Sequence, residues 1–183
     1  TGGSRGARSL NKAAREAWPI LCKSAARVSM TLQCGPAEES GLKAALAQSD
    51  MEGDVTAFLD DMPAAYARAS LIVSRSGAGA VSEIAAAGRP SILVPFPFAA
   101  ADHQKHNALA MVRAGASIMI EDRDLDGAAL AKAIIGVAAM PLQARRMGEA
   151  ARTLATPGAA RRAAELLWQC ARSIDSVRRP PEQ

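Results

Sequence analysis

The stretch SRSGAGAVSEIAAAGRPSILVPF, Ser74 to Phe96, sets a single carboxylate, Glu83, among small and apolar residues. A carboxylate can accept hydrogen bonds from two neighbouring hydroxyls at once. If a helix starts near Ala78, Glu83 lies five residues on, about 7 to 8 Å along the axis at ~1.5 Å per residue. Glu is also a good helix former and is often simply a solvated helix residue. The small, apolar neighbours Ile84 to Ala87 favour a covered helix and a carboxylate with a purpose. The segment before it, SGAGA, is one of two glycine turns that open helices. The other is GGSRGA, Gly2 to Ala7. Open N–H groups and the positive end of a helix make each turn a cradle for an anion; tight strand-to-helix packing is the commoner use of such glycines. Neither turn fits G-x-G-x-x-G, and GxxxxGK[ST] is absent, so no dinucleotide fingerprint or P-loop is present.

Other reactive residues point nowhere so definite. Gln104, within DHQ, offers an amide that can donate to one hydroxyl and accept from another, or it is an exposed helix residue. Asp102, His103 and His106 cluster on one helix, but three such groups without a distant partner do not make a metal site, and none is expected. Asp122-Arg123-Asp124 has the D-x-D form of metal-dependent transferases, yet it sits at a strand-to-helix junction and reads as capping. Two histidines three residues apart support no Ser-His-Asp or Cys-His catalytic set. Cys22, Cys34 and Cys170 form no C-x-x-C pair, so neither a disulfide framework nor a zinc knuckle is expected, and a reducing compartment fits.

These residues must be positioned by a fold. The 183 residues, 49% hydrophobic and 22% charged, have the composition of one folded unit. Aromatics at 3% argue against a nucleic-acid platform built on base stacking. The net charge of +4 reflects arginines gathered at Arg161, Arg162, Arg172, Arg178 and Arg179, read as a solvated helix face ahead of a binding patch for lipid or phosphate. No apolar run reaches the length of a membrane span and no signal peptide is expected, leaving peripheral contact as the only membrane association. Periodicity predicts helices over 7–24, 36–47, 62–69, 78–87 and 102–114, alternating with strands over 27–34, 54–59, 71–74, 91–95 and 117–120. A helical tail broken near Pro141 and Pro157 follows, with a disordered RRPPEQ end. Such alternation implies a doubly wound, Rossmann-like α/β domain with a parallel sheet. A glycine turn such as GGSRGA normally follows a strand, so a first, central strand is expected upstream of Thr1.

In combination, GGSRGAR, then AFLDDMPAAYARASLIVSRSGAGAVSEIAAAGRPSILVPF and the DHQKHNA block, resembles the MurG family of bacterial glycosyltransferases. The likeness is to the C-terminal, donor-binding half; it runs from Thr1 to about Asp122 and more loosely through the tail. It implies a two-domain GT-B fold, with residues 1–158 as the UDP-sugar-binding domain and 159–183 as a helix and basic tail packing toward an N-terminal domain. It implies UDP-N-acetylglucosamine as donor and a lipid-linked muramyl-pentapeptide as acceptor, at the cytoplasmic face of the bacterial inner membrane. No cofactor, metal or nucleic acid is implied. The resemblance assigns Ser4 to the diphosphate and the backbone of Leu59 to the uracil edge. It packs Phe58 and Met62 around the base, where the residues alone read as core. It sets Ala78, Gly79, Ala80, Val81 and Ser82 under the diphosphate, Glu83 on the ribose 2′ and 3′ hydroxyls, and Gln104 on the sugar. Arg5 stands where the family often carries Gln, so no role transfers to it. The implied reaction is a direct inverting displacement whose base lies on the N-terminal domain, with no catalytic residue in this chain. The alternatives are a separate donor-binding subunit of a two-chain transferase, a UDP-sugar epimerase, and an interaction module whose glycine turns only pack.

Overall fold

In a computed structural model, residues 1–3 and 6–178 are described, with backbone alone for 173–178. Helices and strands alternate as α1 (Arg8–Cys22), β1 (Ser29–Gln33), α2 (Glu39–Ala47), β2 (Glu52–Thr56), α3 (Met62–Arg68), β3 (Ile72–Ser74) and α4 (Ala78–Ala87). They continue as β4 (Ser91–Leu93), α5 (His103–Arg113), β5 (Ser117–Met119), α6 (Gly127–Ala138), α7 (Pro141–Thr153) and α8 (Ala159–Arg178). Every strand pairing is parallel, as the alternation predicts, but the strands form two sheets, β1–β2 and β3–β4–β5. Residues 1–3 bridge them. The Thr1 nitrogen donates to Val73 O of β3 at 2.6 Å, and its Oγ1 donates to Gln33 Oε1 of β1 at 3.2 Å.

The strand β4 reads Ser-Ile-Leu, is buried at all three positions and lies at the centre of its sheet. Because side chains alternate across a strand, Ile92 and Leu93 enter different cores. Ile92 joins Ala14, Trp18 and Leu21 of α1 and Leu130 and Ile134 of α6. Leu93 joins Tyr66, Ile84, Ala108, Met111 and Ala151, contributed by α3, α4, α5 and α7. No single helix among the described residues is long and apolar enough to cross a membrane; α6 and α7, bent by 96° at their junction, would pass only as a pair, and α6 is committed to the α1 face. The described side chains of α8 are all exposed, Arg161, Arg162 and Arg172 included, and RRPPEQ lies outside the described residues except for Arg178, which closes α8.

Element boundaries differ from expectation where local chemistry intervenes. β2 stops at Thr56, whose Oγ1 donates to Phe58 O at 2.8 Å and turns the chain, so Phe58 and Leu59 follow the strand and are outside it. α5 starts at His103 because Asp102, at φ 52°, and Ala101, at φ 48°, lie in the left-handed region that side chains disfavour. α4 ends where Gly88, at φ 61°, closes it with bonds from its N–H to Ile84 O and Ala85 O.

The first glycine turn is set by contact. Gly6 has φ 72°, and a β-carbon there would stand 1.9 Å from Cys34 O at the end of β1. Only a residue without a side chain lets the start of α1 come so close to the strand. Gly6→Ala is therefore expected to lower the unfolding free energy by about 3 kcal/mol or more, read from the denaturant midpoint, through strain and backbone displacement together.

Candidate functional site

Parallel strands send their carboxyl ends the same way, and in an open α/β sheet that is where ligands sit. A cleft of about 680 Å³ opens there, with residues from the end of each strand in its wall. Gln33 ends β1, Phe58 follows β2, Ser74 ends β3, Phe96 follows β4 and Asp122 follows β5. Both glycine turns contribute, through Gly2, Gly3 and Gly6 before α1 and Gly77 before α4.

Two of the helix starts at the cleft, those of α1 and α4, differ from the starts of α3 and α6. Asp61 caps α3 by accepting from Ala64 N at 2.9 Å, and Asp126 caps α6 by accepting from Ala129 N at 2.7 Å. Neither α1 nor α4 has a side-chain cap or an acidic residue in its first turn. Their first intrahelical bonds come from Asn11 N and Val81 N, so the N–H groups before them have no helical acceptor. Open N–H groups with the positive end of the helix dipole favour an anion at each start.

Of the residues assigned from sequence, Phe58, Met62, Ala80, Glu83 and Gln104 line this cleft. Leu59, Ala78, Gly79, Val81 and Ser82 do not; Val81 turns inward against the second core. Ser4 and Arg5 lie outside the described residues. Phe58 is 52% exposed, which overturns its reading as core, whereas Met62 packs against the second core and also meets the cleft. Glu83 is exposed on α4, contrary to the expected covered helix; the covered residues are Ile84 and Ala85, one and two positions on, which face α3, α5 and α7. Gln104 Oε1 already accepts from Phe96 N at 3.0 Å, leaving its Nε2 to donate into the cleft. Among the described residues no group of three His, Cys, Asp or Glu could hold a metal ion, and His103 turns its Nδ1 to Ala100 O at 2.8 Å.

The structure adds residues that sequence reasoning left without a role. Ser76 Oγ donates to Gln104 O at 2.8 Å and Asn107 Nδ2 donates to Ser76 O at 3.0 Å, fastening the start of α5 to the turn before α4. Both belong to quoted motifs, SRSGAG and DHQKHNA, but pairing between two helices' ends has no sequence signal. Asp122 is no cap: its Oδ1 accepts from Arg75 Nη1 at 2.6 Å and from Ser9 Oγ at 2.7 Å. The cap expected of the D-x-D segment is Asp126, four residues further on. Tyr66 of α3 is buried with its hydroxyl against the Glu83 carboxylate, and burial, with the adjacent negative charge and hydrogen bond, pushes its pKa up to about 12.

An open, doubly wound α/β domain with its cleft at the strand carboxyl ends is the architecture of a Rossmann-like nucleotide-binding half of a GT-B transferase. Residues 1–165 match the Glycosyltransferase family 28 C-terminal domain, and the chain belongs to that family. It is 51% identical over 172 residues to the UDP-N-acetylglucosamine–N-acetylmuramyl-(pentapeptide) pyrophosphoryl-undecaprenol N-acetylglucosamine transferase of Solibacter usitatus, covering 94% of this chain and 47% of that protein. The protein of the same name from Anaeromyxobacter dehalogenans is 41% identical over 171 residues, covering 93% and 45%. The chain thus spans about half the length of these relatives. The crystal structure of Acinetobacter baumannii MurG superposes with a TM-score of 0.82 at 29% identity, over 92% of this chain and 48% of that one. The glycotransferase of kitacinnamycin shares the fold, with a TM-score of 0.61 at 24% identity over 77% of this chain and 34% of that one.

Tyr66 is the chain's one tyrosine, so phenolate absorbance reports it alone. Its midpoint is expected near 12. Glu83→Gln should lower that midpoint yet leave it above the free value of 10, because burial is the larger cause. The neutral phenol is the form the fold favours, so its contribution to stability is complete below pH 10 and is lost as pH rises toward 12.

Proposed function

We propose that this chain is the donor-binding half of an inverting glycosyltransferase. In this reading it holds UDP-N-acetylglucosamine for transfer to undecaprenyl-diphosphate-muramoyl-pentapeptide, the lipid I to lipid II step of peptidoglycan synthesis. The observation that carries the reading is the meeting of two uncapped helix starts, from α1 and α4, at one cleft lined also by Glu83 and Gln104. The names and identities of the relatives favour a transferase over an epimerase or a pure interaction module.

The diphosphate lies across the two helix starts, against the first turn of α4 from Ala78 to Ser82, and the family resemblance assigns Ser4 to it as well. The helix starts are fixed before the donor arrives, so they stabilise the charge that grows on departing UDP without reorganising. Uracil meets the backbone at Leu59, with Phe58 and Met62 against its faces. Glu83 takes the ribose diol while Tyr66 steadies its carboxylate, and Gln104 Nε2 donates to a sugar hydroxyl. The acceptor hydroxyl attacks the anomeric carbon as UDP leaves, and the base that takes its proton belongs to an N-terminal domain. The acceptor reaches the site from the cytoplasmic face of the inner membrane, where the enzyme is peripheral. Residues 1–158 form the donor domain. In α8, exposed Leu166, Leu167 and Trp168 leave apolar surface in water, which supports packing of 159–183 toward the N-terminal domain.

Calorimetric titration tests the base assignment: UDP is expected to bind more tightly than ADP by at least about tenfold, roughly 1.4 kcal/mol. Equal affinities would defeat it. For the ribose, Glu83→Gln should keep the fold and weaken UDP by about 1.5 to 3 kcal/mol, the range for a hydrogen bond to a charged group. The loss should shrink for a 2′,3′-dideoxy nucleotide, and an equal loss with that analogue would remove Glu83 from the ribose.

A further inference from the structure

Arg75, Asp122 and Ser9 line the cleft, and the proposed donor contacts give them no part. The Arg75 side chain is only 13% exposed and Asp122 21%. Arg75 Nη1 donates to Val94 O at 3.2 Å, to Pro95 O at 3.1 Å and to Asp122 Oδ1 at 2.6 Å; its Nη2 donates to Ser9 Oγ at 2.7 Å. Ser9 Oγ in turn donates to Asp122 Oδ1, closing a triangle. The guanidinium carbon lies 5.5 Å from the centre of the Phe96 ring. One cation thereby joins the exit of β3, the end of β4, the turn after β5 and the first turn of α1.

We propose that Arg75 is a positioning residue for the donor diphosphate: with Asp122 and Ser9 it fixes the start of α1 relative to the turn that opens α4. The inference rests on the donor-binding reading. Arg75 stands two residues before Gly77, and Ser9 carries one of the open N–H groups of α1. Moving either end of this bridge moves a set of phosphate-facing N–H groups. Direct contact of Arg75 with phosphate is disfavoured because both terminal nitrogens are engaged and the carboxylate at 2.6 Å already balances the charge. Lysine has neither the planar fork nor enough donors to replace it.

The test is titration of the 183-residue chain and of Asp122→Asn, Arg75→Lys and Ser9→Ala with UDP and with uridine. Uridine keeps base and ribose and lacks the diphosphate. Misplaced donors are expected to weaken UDP by at least about tenfold in Asp122→Asn and Arg75→Lys while uridine changes by less than about twofold. Asp122→Asn separates positioning from contact by sign: an Arg75 that itself bound phosphate would be released and UDP would tighten. Tighter or unchanged UDP binding in that variant overturns the proposal, as does a parallel loss of uridine, the mark of a merely structural role. If Asp122→Asn does not fold, Ser9→Ala, which leaves the ion pair, decides. Its UDP-to-uridine affinity ratio should fall by about threefold or more, within the range for one lost hydrogen bond, and an unmoved ratio overturns the proposal. Failure of the unaltered chain to bind UDP at all would overturn the donor-binding reading and this inference with it. Normal UDP binding with an unmoved ratio overturns this inference alone.

Discussion

Parallel pairing is the constraint on which the rest of this molecule depends. Strands that run the same way need helices to carry the chain back, so both sheet faces are covered and every strand-to-helix turn appears at the same end. That is why residues as distant in sequence as Gly2, Gly3, Gly6, Phe58, Gly77, Phe96 and Asp122 border one cleft. Burial of β4 on both sides follows from the same cause, and it divides the apolar interior into two cores held by Ile92 and Leu93.

Within that frame the cleft is shaped largely by what is missing. Gly6 has no side chain because the Cys34 carbonyl occupies the space, and α1 and α4 have no capping carboxylates. A negative cap would fill the place of an anion and oppose the helix dipole, as Asp61 and Asp126 do at the starts of α3 and α6. The largely buried charge at the cleft is neutralised, while Glu83 and Arg8 bring exposed charge to its wall. Arg75 and Asp122 meet directly, with the Ser9 hydroxyl bonded to both, and their pairing offsets the cost of removing each from water. Polar side chains at this end thus hold backbone in place, and the backbone presents the donors.

How much of this could be read from the sequence depended on range. Alternating periodicities specified a parallel α/β domain, and the helix Ala78–Ala87 emerges with its expected bounds because Gly77 and Gly88 punctuate it. The division into two sheets was hidden, since strand pairing is set by segments far apart in the chain. Glu83 was found by its isolation among small residues, but its exposure was misjudged: Ile84 and Ala85 mark the buried face of α4, and Glu83 lies off it. Asp122 looked like a cap because caps are local and common, whereas its partner Arg75 is 47 residues away. Tyr66 drew no reading from the sequence, because nothing in its neighbours reveals that a carboxylate waits on the next helix.

The placement of the two tryptophans gives this chain a built-in optical readout. Trp18 is 2% exposed in the core formed by α1 and α6, while Trp168 is 67% exposed on α8. A buried indole emits toward the blue and is sheltered from aqueous quenchers; a solvated one emits toward the red and is quenched readily. The emission of the isolated chain is therefore a sum of two resolvable components with separate meanings. The sheltered component follows the integrity of the fold. The accessible one follows whatever comes to cover α8, so any covering of that helix can be watched in the native chain without attaching a dye.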